Sequence, residues 1–294
     1  MPPWRGWTSR PRPASRSSAI TTPPACTSSR ISRKRAKARR AWGFIPTAWS
    51  NTTRHVGQLL KKLDDLGIAD NTIVVYTTDN GAEVFTWPDG GTTPFKGEKA
   101  TNWEGAFRVP TLIRWPGVIK PGQVINDICA HEDLIPTFAA AAGEPDLVAK
   151  VTKGYQANGK TFKVHLDGYN LMPFLKGDVK ESPRKEFIYW SDDGDLMAIR
   201  YEQWKAAFTR AKRGDVPKTP VGVWQDQFTK LRVPNLYNLR SDPFERGPTS
   251  ILYGDWTAHR MFLQVPMQAF AAKWLESFKE FPRARNPRAS TSMK

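Results

Sequence analysis

At 294 residues the chain is long enough to bury a sizeable core, as one large domain or a domain with an appendage. A mean hydropathy of −0.53 and the lack of any long apolar run exclude a membrane span, and two cysteines, Cys26 and Cys129, exclude a disulfide framework or a thiolate metal cluster. A net charge of +16 would suit a nucleic-acid partner, but twelve of the 44 Lys and Arg and no Asp or Glu lie in residues 1–54, so the remaining 240 residues carry 32 basic against 28 acidic side chains and no specific nucleic-acid partner is expected.

Residues 1–54 are rich in Ser, Thr, Pro and Ala and show no helical or strand periodicity, which predicts a basic, disordered arm. They lack the uninterrupted apolar stretch of a secretory signal. From His55 the chain reads as structure. Val56, Leu59, Leu60, Leu63 and Leu66 recur at helical spacing, with Gly67 placed to end the helix in a left-handed conformation. Asp70-Asn71 turns into an apolar, β-branched run, Ile73 to Thr77, of the kind that suits a strand covered on both faces in a parallel sheet. Val109 to Trp115 reads as another strand, stopped by Pro116-Gly117, and Asp133 to Ala142 as a helix with Pro136 in its first turn. Beyond about residue 185, Glu186 to Trp190, Leu196 to Arg200 and Trp204 to Phe208 read as short antiparallel strands. A last helix is predicted over roughly Trp256 to Phe278, followed from Pro282 by a basic, frayed tail. Cys129, in a hydrophobic stretch, reads as a core residue. His55, His131, His165 and His259 have no partner at metal-ligand spacing and read as structural or solvent-facing.

The chemistry is concentrated between Thr72 and Pro110. Asp79-Asn80-Gly81 stands at the carboxyl end of the first predicted strand, the edge where open α/β sheets bind ligands. D-N-G alone is a common turn. Two hard oxygen donors there also suit Ca²⁺ or Mg²⁺, and a downstream Lys suits an anion held by such a cation. The ordered combination T-T-D-N-G, then K-G-E-K-A-T, then W-E-G-A-F-R-V-P resembles the sulfatase family, and three further segments extend the resemblance. HEDLIPTFAAAAGEP (131–145) is similar to that family's D-L-x-P-T helix, LDGYNLMPFLKG (166–177) to its D-G-x-x-L-x-P segment, and LYNLRSDPFER (236–246) to its L-Y-D-L-x-x-D-P-x-E. Glu98 and Ala106 depart from the pattern, which often has Gly at both places, and each narrows the room for the backbone.

The resemblance implies an alkaline-phosphatase-like α/β sheet with flanking helices, incomplete here, over residues 55–185, and a C-terminal subdomain of antiparallel strands and a terminal helix over 186–294. It implies Asp79 and Asn80 as ligands of Ca²⁺ or Mg²⁺, weakly held, Lys99 as the catalytic and sulfate-binding lysine, and Lys96 at a basic substrate-binding position. The substrate implied is a small sulfate ester, hydrolysed through a formylglycine nucleophile made from Cys or Ser in C/S-x-P-S-R. No such motif occurs in the chain. The nearest stretch, Cys26-Thr27-Ser28-Ser29-Arg30, lacks the Pro, so the chain by itself is expected to be an inactive, truncated form. Shifted-frame readings of the codons behind residues 24–53 resemble upstream sulfatase sequence, so residues 1–54 are also expected to be translated out of frame. A phosphodiesterase or phosphatase of the same superfamily, and a non-catalytic polyanion-binding protein using the basic arm, are the alternatives.

Overall fold

The structure, a computed structural model, describes residues 44–83, 93–211, 223 and 227–282, and for 44–51 the backbone alone. The first helix, α1 (Phe44–Asp65), ends as its sequence dictates. Gly67 adopts φ +65°, its N–H donates to the Asp64 carbonyl at 2.9 Å, and that of Ile68 to Leu63 at 3.1 Å. This is the paired closure that satisfies two terminal carbonyls, and a residue without Cβ makes it at no steric cost. The helix begins at Phe44, inside the segment read as an irregular arm. Residues 1–43, and with them most of that arm, lie outside the described residues, as does the tail beyond Pro282.

Strand β1 (Val74–Thr77) pairs with β2 (Thr111–Arg114) in antiparallel register, Val74 opposite Arg114 and Thr77 opposite Thr111. The expected parallel, doubly covered strand is therefore corrected. The two strands are each other's only sheet partners among the described residues, β1 is only half-buried, and Leu112 is 68% exposed. The antiparallel register delivers Thr111 opposite Thr77, so β2 starts where β1 ends.

Helix α2 (Glu104–Phe107) lies between β1 and β2; after β2 come a 3₁₀ turn, His131–Asp133, then α3 (Leu134–Ala141) and α4 (Leu147–Lys153). Hairpin β3 (Tyr155–Ala157) and β4 (Lys160–Phe162) turns through Asn158-Gly159, both at positive φ, as a two-residue primed turn requires. Helix α5 (Met172–Lys176) leads to the C-terminal sheet.

That sheet is an antiparallel meander of β5 (Glu186–Trp190), β6 (Leu196–Tyr201), β7 (Trp204–Ala211) and β8 (Phe228–Asn238), in that order. Both its faces are covered. Ala207, Tyr189 and Tyr237 pack with Trp103 on one side, while Ala206 and Leu236 pack with Met267 on the other. The predicted final helix is two helices, α6 (Tyr253–Ala258) and α7 (Gln264–Glu280), separated by a turn at His259-Arg260 and a 3₁₀ turn over Met261–Leu263. Pro266 sits in the first turn of α7, where no intrahelical N–H is required. No helix among the described residues is long and apolar enough to cross a membrane.

Candidate active site

The tip of β1 is held by its own hydroxyls. Thr77 Oγ1 donates to the Pro110 carbonyl at 3.1 Å and lies 3.0 Å from Thr111 Oγ1 and 3.2 Å from His131 Nε2, so His131, read as structural or solvent-facing, caps the strand end. Two residues on, the exposed Asp79 carboxylate accepts the Asn80 N–H at 3.0 Å and the Thr78 hydroxyl at 3.3 Å. The Asn80 amide nitrogen donates to the Gly81 carbonyl at 2.8 Å, which orients its side chain.

From Gly81 the backbone knits three segments into one junction. Gly81 N–H donates to the Ala106 carbonyl at 2.8 Å, Lys99 N–H to Ala82 at 3.2 Å, and Gly105 N–H to Lys96 at 2.7 Å. Such contact excludes side chains. A Cβ on Gly81 would stand 1.7 Å from the Gly105 oxygen, and one on Gly105 would stand 2.5 Å from the Lys96 oxygen. The glycines of D-N-G and E-G are therefore spacing requirements between backbones. The two departures from the family pattern are absorbed. Gly97, at φ +82°, takes the left-handed turn, Glu98 folds inward with its N–H on Thr101 Oγ1, and Ala106 is buried while its carbonyl receives Gly81.

The expected site residues thus separate. Asp79, Asn80 and Lys99 share the junction. Lys96 extends toward the C-terminal sheet, its ammonium 3.8 Å from the centre of the Trp103 ring and 3.3 Å from the Glu245 carbonyl oxygen. Among the described residues no group of three or more His, Cys, Asp or Glu could hold a metal ion. Asp79 and Asn80 have the donor chemistry for a hard cation, as two of the six to eight oxygens that Ca²⁺ takes.

Behind the junction lies a buried ionic network that the sequence reading did not single out. Lys205 Nζ, wholly buried, donates to Glu245 Oε1 at 2.8 Å, to the Asn102 carbonyl at 2.8 Å and to Glu104 Oε1 at 3.1 Å. Glu104 N–H donates to Glu245 Oε2 at 2.8 Å, and the Tyr189 hydroxyl to Glu104 Oε1 at 2.5 Å. Arg108 Nε reaches Glu104 Oε2 at 2.7 Å. Burial opposes the Glu104 charge, yet Lys205, Arg200 and Arg108 with the Tyr189 hydroxyl outweigh it and hold the carboxyl down at about 2. Burial, with the neighbouring Glu104 charge, raises Glu245. The available signal was Lys205 itself, a cation between Trp204 and Ala206 in a strand whose next residues are small and apolar.

A second joint unites the other two motifs. Arg184 grips Asp133 through Nε at 2.9 Å and Nη2 at 2.7 Å, while Asp133 also accepts the N–H groups of Tyr169 at 2.7 Å and Ala130 at 2.8 Å. A Cβ on Gly168 would lie 2.0 Å from the Glu132 oxygen, so the D-G turn packs directly on the 3₁₀ turn before α3. Nearby Cys129 is exposed, which corrects its reading as a core residue, though partial burial still raises its thiol to about 11. Its stretch is apolar in composition but runs through an irregular surface segment.

The comparisons follow the same segments. The family model Sulfatase matches residues 47–144, and that of the C-terminal region of aryl-sulfatase matches 182–281. Steryl-sulfatase of Homo sapiens is 32% identical over 211 residues, covering 66% of this chain and 34% of its own length. Arylsulfatase A of Homo sapiens is 34% identical over 197 residues, covering 65% and 36%. The PsFucS1 sulfatase from Pseudoalteromonas sp. superposes with a TM-score of 0.61 at 27% identity, over 78% of this chain and 42% of that one. The chain spans about a third of the curated relatives it matches, and its fold is that of the alkaline-phosphatase-like sulfatases. With one model covering the β1 junction and the other covering the sheet that buttresses it, the chain belongs to the sulfatase family.

Proposed function

We propose that this chain serves the hydrolysis of sulfate monoesters by supplying the cation-ligating pair and the sulfate-binding lysine of the site. The observation that carries the reading is the backbone junction at Gly81, Lys99 and Gly105, which sets Asp79-Asn80 and the Lys99 loop side by side at a strand tip. The family uses a metal in general, and Ca²⁺ or Mg²⁺ bound at Asp79 and Asn80 would draw negative charge from the transferring sulfuryl group. Lys99 binds a sulfate oxygen and stabilises the charge that develops on the leaving alcohol oxygen, electrostatic assistance of the oxyanion-hole kind. Lys96, held over Trp103, keeps a second positive charge behind the same loop. The matched relatives are named for steryl and aryl sulfates, so the substrate class is assigned as a small sulfate monoester.

No C/S-x-P-S-R stands in the 294 residues, so the nucleophile has to come from elsewhere. Assayed alone, the chain should hydrolyse 4-nitrophenyl sulfate no faster than buffer. Mixed with a sulfatase segment bearing that motif, matured by a formylglycine-generating enzyme, it should turn over. Lys99→Ala should then lose at least about a hundredfold in kcat. Full turnover by the Lys99→Ala mixture would sink the site assignment, and hydrolysis by the chain alone would sink the need for a second segment.

A further inference from the structure

A cleft of about 660 Å³, open to solvent, lies between α7, the edge strand β5 and residues 163–167, and shares no residue with the Asp79 and Lys99 junction. Four aromatic rings line it. Trp190 and Trp274 lie with ring centres 5.0 Å apart and planes inclined at 36°, Phe278 meets Trp274 edge-on at 4.9 Å, and Phe281 continues the row toward His165 at 5.6 Å. Trp274 and Phe278 are one helical turn apart, a spacing that ordinarily means burial against a neighbour. Here both rings are half-buried and border open space.

The rim is polar and internally compensated. Asp167 Oδ1 accepts the Trp274 indole N–H at 3.0 Å and lies 3.0 Å from His165 Nε2, while Lys163 Nζ sits 2.8 Å from Glu280. The rim offers both donors and acceptors, with two carboxylates to one ammonium.

We propose that this cleft binds a neutral saccharide, with the C–H face of a pyranose on the Trp190 and Trp274 rings and its hydroxyls exchanging with Asp167 and with the Lys163 and Glu280 pair. The assignment is independent of the reading of Asp79 and Lys99. Charge decides against a bare sulfate or other small anion, which would meet the carboxylates and use none of the rings. A quaternary ammonium ion would use the rings, but it has no N–H to donate to the rim, where Glu280 is already paired with Lys163 and Asp167 already accepts the Trp274 indole N–H. A wholly apolar ligand would desolvate the ion pairs without replacing their hydrogen bonds. Hydroxyls both donate and accept, as the rim does, and the volume falls in the range of about 300–1,000 Å³ typical of small-molecule sites.

The test is saturation-transfer NMR with tryptophan-fluorescence titration of the whole 294-residue chain. The probes are the methyl glycosides of glucose, galactose, mannose and N-acetylglucosamine, with sodium sulfate and choline as comparators. At least one glycoside should bind with a Kd of the order of millimolar. Trp274→Ala should weaken it by about tenfold or more, Trp274→Phe by less, and Asp167→Asn by about threefold, each variant shown folded by circular dichroism. Should Trp274→Ala fail to fold, the Trp274→Phe and Asp167→Asn pair carries the comparison. Asp79→Ala should leave glycoside binding unchanged. No glycoside binding up to about 100 mM, binding indifferent to the cleft variants, or tighter binding of choline or sulfate than of any glycoside would overturn the proposal.

Discussion

Glu104 shows how much one side chain can hold. It is 1% exposed and yet ionised, with its carboxyl near 2 instead of 4.5 because three cations and a hydroxyl surround it. A folded-state pKa below the unfolded one means that the unfolded chain takes up the proton more readily. The stabilisation is therefore complete above about pH 4.5 and is lost as pH falls toward about 2, and the gap corresponds to about 3 kcal/mol. Glu245 acts in the opposite sense, since burial and the Glu104 charge raise it, so its protonation offsets part of that loss. Glu104→Gln should be less stable than the parent at pH 7 by about 2–3 kcal/mol, with the difference closing between pH 4.5 and 2 in urea unfolding. A difference constant across that window would rule out the ionised carboxylate as its source. Gly81 makes a steric case at the same scale. A methyl group cannot coexist with the Gly105 oxygen at 1.7 Å, so Gly81→Ala should cost more than about 2 kcal/mol. Hydrogen exchange should also show lost protection at the Lys99 and Gly105 amides.

Strand β7 is the element on which the two matched regions meet. Lys205 and Ala207 point toward Trp103 and Glu104, while Ala206 points toward Met267 of α7, so each successive residue is buried on an opposite face. Lys205→Met would leave Glu104 and Glu245 facing each other without their shared ammonium, at a cost of about 3–5 kcal/mol. Adding Glu245→Gln should recover part of it, a coupling that denaturant midpoints of the single and double variants would measure. Strands β5 to β7 could be read from the sequence because they are short, largely apolar runs separated by turn residues, as suits a sheet covered on both faces. Strand β8 is harder to read, since Pro234 interrupts the short Lys230-Leu231-Arg232-Val233 alternation. It survives the interruption because it is an edge strand, and its register slips between Ala207 and Thr209, where Leu231 to Pro234 bulge away from the ladder. The Asn158-Gly159 hairpin has the dipeptide of a primed turn, but strands only three residues to a side carry too little periodicity to mark it. The division between α6 and α7 was hidden because apolar residues continue through Met261–Leu263.

Across the whole molecule, the four motifs that revealed the family are mostly joints. Asp133 and Gly168 lock the D-L-x-P-T and D-G-x-x-L segments together, and Glu245 of the D-P-x-E turn locks onto Glu104. Asp79, Asn80 and Lys99 could be read as a group because the family motif orders them. The network behind them could not, because its partners are distant in sequence and only folding shows which acid meets which base. Arg184→Met, which removes the cation from the buried Asp133, should lower stability by about 3–5 kcal/mol. Its effect should add to that of Lys205→Met if the two joints are independent, as a double-variant unfolding series would show. Those long sequence separations also set a schedule. The loop carrying Lys96 and Lys99 is braced by Glu245, whose carbonyl lies 149 residues downstream of Lys96. At about 5–20 residues per second a ribosome needs about 7–30 s to make that stretch. For that interval the nascent loop has no brace, and its surroundings are completed only once the turn that follows β8 has left the ribosome.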